Sequence, residues 1–98
     1  KEPVVAGAIH ALTVIVGFKK NISTDDALDI IKGKILPEGE GPLVGLDQVL
    51  ESKDSACGMS VRGVQAHERL AVGLGYDKRQ KCMYSLGVHT AGLCLRDI

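Results

Sequence analysis

The chain has 98 residues, with twelve Lys and Arg balancing twelve Asp and Glu for a formal net charge of zero. That length supports one hydrophobic core and therefore a single domain over residues 1–98. The neutral balance gives no global field towards nucleic acid or an anionic membrane, and with only Phe18, Tyr76 and Tyr84 aromatic, stacking platforms for single strands are disfavoured.

A chain of this size buries roughly two-thirds of its unfolded surface, so the stability margin is thin and a homodimer is one way to widen it. The sequence opens with Lys1 rather than Met, as a processed product or a domain excised from a longer chain would.

In chain order, Val4 to Phe18 is the most apolar stretch. It is shorter than the roughly 20 residues a bilayer needs and contains His10 and Thr13, so it reads as a buried helix and not as a membrane span. Gly7, His10, Thr13 and Gly17 fall on one helical stripe. A minor strand over residues 13–16 is the competing reading, because β-branched side chains cluster there. Ser23 or Thr24 then caps a second helix, with Asp25 and Asp26 against its positive end and Leu28, Ile31 and Ile35 as its apolar stripe. Pro37 and the Glu38-Gly39-Glu40-Gly41 run end it, and Pro42 opens a third helix with Leu43, Leu46 and Leu50 inward.

After a loop over residues 52–59, Ser60 caps a fourth helix. Val64, His67, Ala71 and Leu74 share its inner stripe, and Arg62, Gln65 and Arg69 share another. Gly73 and Gly75 stop it. Asp77 and Gln80 resemble a capping box opening a fifth helix, lined by Cys82, Leu86, His89 and Leu93. The expectation is an all-α fold, a compact bundle of about five short helices.

Cys57, Cys82 and Cys94 form an odd set without a closely spaced pair, so the expected setting is an intracellular, reducing compartment with Cys82 and Cys94 as small buried apolar side chains. Zinc on Cys57, His67, Cys82 and His89 is the metal alternative, but it lacks the close ligand pair of structural sites. A Cys/His enzyme would need a thiolate, a base, an orienting group and oxyanion donors, and no local motif supplies them. No catalytic residue, metal ligand or cofactor is therefore assigned.

The charge balance hides an asymmetry. Residues 1–54 carry six lysines against nine carboxylates, and residues 55–98 carry six basic groups, including all four arginines, against three acids. Arg forks suit carboxylates. Arg62, Arg69, Lys78, Arg79 and Lys81 are thus the candidate partner-binding residues of a non-enzymatic docking domain, binding an acidic or partly disordered protein segment, with Met59 and Met83 as adaptable apolar contacts. Small helical modules of this kind serve in regulatory or viral polymerase-cofactor chains, an analogy of class alone. The alternative is a helix-turn-helix over residues 60–95, with Arg79 and Gln80 on base edges and Lys78 and Lys81 on phosphates; the acidic first half argues against it.

Overall fold

Residues 2–35, 59–84 and 93–98 are described by the structure, a computed structural model. Helix α1 runs Glu2–Lys20, α2 Thr24–Ile35 and α3 Val61–Gly73; strands β1 (Tyr76–Asp77), β2 (Cys82–Met83) and β3 (Leu93–Cys94) follow, and a 3₁₀ turn (Leu95–Asp97) closes the chain. The strands form an antiparallel sheet in the order β1-β2-β3.

The expected bundle of about five helices is therefore incorrect: the described residues form three helices and a small sheet. The helix expected from Pro42 lies outside the described residues, as do Cys57 and His89. The strand considered for residues 13–16 does not form, since α1 is continuous through them. The Thr13 hydroxyl donates to the Ile9 carbonyl at 2.7 Å, so a buried polar group is satisfied within the helix.

Helix α1 is the axis of the core. Every residue from Ala8 to Gly17 is buried, the pattern of a helix covered on all sides. Both α2 and α3 pack on it. Ile9, Leu12, Ile31 and Met83 are fully buried, and each such side chain contributes about 1.5–3 kcal/mol in removal from water.

The helix ends follow local chemistry. Asn21, with φ 54°, terminates α1: its amide donates to the Phe18 carbonyl at 3.2 Å and the Ile22 amide donates to Gly17 at 3.0 Å. This paired geometry occupies carbonyls that a helix end leaves free. Ser23 Oγ accepts from the Asp26 amide at 3.1 Å, a side-chain cap at the start of α2. Ser60 accepts from Gly63 at 3.0 Å at the start of α3. As the spacing implies, Val64 and Ala71 are buried and His67 and Leu74 half-buried, while Arg62, Gln65 and Arg69 are exposed.

Beyond α3 the sequence reading fails for an identifiable reason. Asp77 Oδ1 accepts from the amides of Arg79 (2.9 Å) and Gln80 (3.2 Å), the same bonds that an N-cap makes. Asn and Asp make them in turns as well. Here they organise a four-residue loop, residues 78–81, and Asp77 pairs with Cys82 across a hairpin. Lys81, with φ 59°, returns the chain into β2. Gln80 does not reach back as a capping partner; its Oε1 accepts from Arg96 Nη1 at 3.1 Å. The expected helix-turn-helix loses its second helix at this point, because the residues meant to open it form the turn.

Cys82 and Cys94, directly opposed on β2 and β3, are joined by a disulfide. They are not the separate buried thiols expected. With no CxxC spacing to signal it, the pairing depends on strand register.

Candidate functional site

Three of the five expected partner-binding residues, Lys78, Arg79 and Lys81, share the hairpin turn, and all three are exposed. The turn is held from both sides: Asp77 binds its backbone, and the Arg96–Gln80 bond ties it to the C-terminal 3₁₀ turn. Lys81 adopts a backbone conformation that costs a non-glycine residue about 1 kcal/mol. Arg62 and Arg69 are exposed two turns apart on α3, with Gln65 between them.

Beside the turn lies a cleft of about 240 Å³. Its floor is Ile15, Val64, Tyr76 and Leu95, all buried, and its lips are Phe18 and Val61, respectively 36% and 60% exposed. Lys19 from the end of α1, Lys81 from the turn, and Gln65 and Glu68 from α3 also line it. Lys81 thus belongs both to the cationic turn and to the cleft. Arg62, Arg69, Lys78 and Arg79 do not line it.

Burial raises the pKa of the Tyr76 phenol above its ordinary value of 10.0, and the carboxylates of Glu68 and Asp77 push it the same way. It remains a neutral phenol at physiological pH.

Of the cysteine and histidine alternatives, only Cys82, Cys94 and His67 lie among the described residues. Among the described residues both cysteines are in the disulfide, so neither offers a thiolate to a metal or a substrate. His67 donates from Nδ1 to the Gly63 carbonyl at 2.9 Å. Its ring meets that of His10 edge-to-face, with centroids 5.4 Å apart, between α1 and α3. The described residues hold no group of three or more His, Cys, Asp or Glu side chains placed to share a metal, and no described helix is long and apolar enough to cross a membrane.

Sequence reasoning missed the cleft, because its lining comes from α1, α3, β1, the turn and the 3₁₀ segment. A faint signal was available in Phe18 and Val61, large apolar residues that the helical stripes leave outside the core. Met83, expected as an exposed contact, is fully buried instead. Met59 is partly buried against the core. No family model, curated protein or solved structure matches the chain.

Proposed function

We propose that the chain is a non-enzymatic docking domain that binds an acidic, partly disordered protein segment through Arg62, Arg69, Lys78, Arg79 and Lys81. The observation carrying this reading is the hairpin turn, which presents three exposed cations on a backbone bonded by Asp77, with the Gln80 side chain tied to Arg96. A turn whose backbone is already hydrogen-bonded loses less backbone entropy on binding than an open loop does, which leaves ordering of the cationic side chains as the main entropic cost. A second reading as a helix-turn-helix has no geometric support, since residues 78–81 form a turn.

The low cysteine density is the sequence observation behind an intracellular, reducing setting. The Cys82–Cys94 bond argues the other way, as disulfides persist in oxidising compartments.

Charge reversal tests the site. Arg69→Glu with Arg79→Glu, both at exposed positions, is expected to weaken binding of a labelled Glu-rich peptide at least tenfold at low salt while leaving the thermal midpoint unchanged. Unchanged peptide affinity in the folded double variant overturns the site.

A further inference from the structure

We propose that the cleft between α1, α3 and the hairpin is an anchor pocket that takes one large aliphatic or aromatic side chain of the acidic segment; this rests on the docking reading above.

Size selects the class of ligand. At about 240 Å³ the cleft falls below the roughly 300–1,000 Å³ range of cofactor and small-molecule sites. It suits a single inserted side chain, the arrangement by which binding energy concentrates in a central pocket. The floor of Ile15, Val64, Tyr76 and Leu95 is apolar and already desolvated, while the Phe18 and Val61 lips stand in solvent. Insertion therefore buries further apolar surface on the lips without opening the core.

Charge selects the context of that side chain. Lys19 and Lys81 reach the cleft from different elements, and Glu68 is the one carboxylate among the described lining residues. Residues flanking the anchor on the lysine side are therefore acidic, and a carboxylate set against Glu68 is repelled. A detached apolar acid would fill the cleft but leave Lys78 and Arg79 unused, since they lie outside the lining. A peptide crossing the lip at Lys81 reaches both the pocket and the turn. Lys81, in a backbone conformation that glycine would adopt more cheaply, stands where the two surfaces meet.

The test uses the intact chain and two fluorescent peptides of alternating Glu, Gly and Ser that differ only in a central Leu or Ser. The Leu peptide is expected to bind about tenfold or more tightly than the Ser peptide, the value of burying one such side chain. Val61→Trp, which fills the cleft from its exposed lip, is expected to erase that difference. Gln65→Trp, also on the exposed side of α3, serves if the first variant does not fold. Equal binding of the two peptides overturns the anchor pocket and leaves charge docking standing. A Leu advantage that survives a folded cleft-filling variant places the anchor elsewhere and overturns it too. Binding of neither peptide overturns the docking reading together with the pocket.

Discussion

The phenol of Tyr76 sits on the cleft floor, where burial holds its proton more tightly than water does. In the unfolded chain the group titrates at its ordinary value of 10.0, and in the folded chain it titrates higher. Above pH 10.0 the unfolded state therefore binds fewer protons, and stability falls as pH rises towards the folded value; below pH 10.0 the group adds no pH dependence. Tyr76→Phe removes this component, so thermal midpoints followed into alkali are expected to fall more steeply for the wild type than for the variant. Parallel curves would show that the phenol ionises alike in both states. The residue scale is also where the sequence is most readable. Ser60 announces its cap through an acceptor side chain ahead of an amphipathic run, and the 64, 67, 71, 74 spacing gives the inner face of α3 directly. Asp77 shows the limit, because a side-chain oxygen accepting from the next two or three amides begins a helix or a turn equally well.

At the scale of elements, helices and strands differ in how far their determinants lie along the chain. Helices α1 and α2 are specified by neighbours: an apolar run too short for a bilayer, and Ser23 followed by acids. The sheet depends instead on Cys82 finding Cys94, and on two-residue strands too short to show alternation. The odd cysteine count concealed that pair. The bond spans a sequence separation of 12, and closing a loop of this length is worth about 3 kcal/mol through the entropy of the unfolded chain. Reduction, or Cys82→Ser with Cys94→Ser, is accordingly expected to lower the unfolding free energy by about 2–4 kcal/mol in denaturant titrations. Thiol titration of protein unfolded without reductant is expected to find one free thiol, that of Cys57. Three free thiols, with a stability indifferent to reductant, would remove the bond from the native protein.

At the scale of the whole molecule, a chain of zero net charge is divided into an acidic first half and a basic second half. This division was legible in the sequence, as was the identity of the cations. Their arrangement was not. Lys78, Arg79 and Lys81 were expected at the start of a fifth helix and instead occupy a hairpin turn beside a cleft. That cleft could not be read from any local window, since its floor joins Ile15 to Leu95 through the folded core. The change of element leaves the proposed partner as it was, an acidic segment, and adds an apolar anchor to it, whereas groove reading by this motif needs the helix.

The measurement that tests this account most directly is an anisotropy titration of the intact chain against a labelled acidic peptide and against single- and double-stranded DNA and RNA pools, at low and near-physiological salt. Saturable peptide binding that weakens moderately as salt rises is expected, with any nucleic-acid binding lost at physiological salt by counterion competition. Duplex or single-strand binding that persists at physiological salt, with no peptide binding, would contradict it.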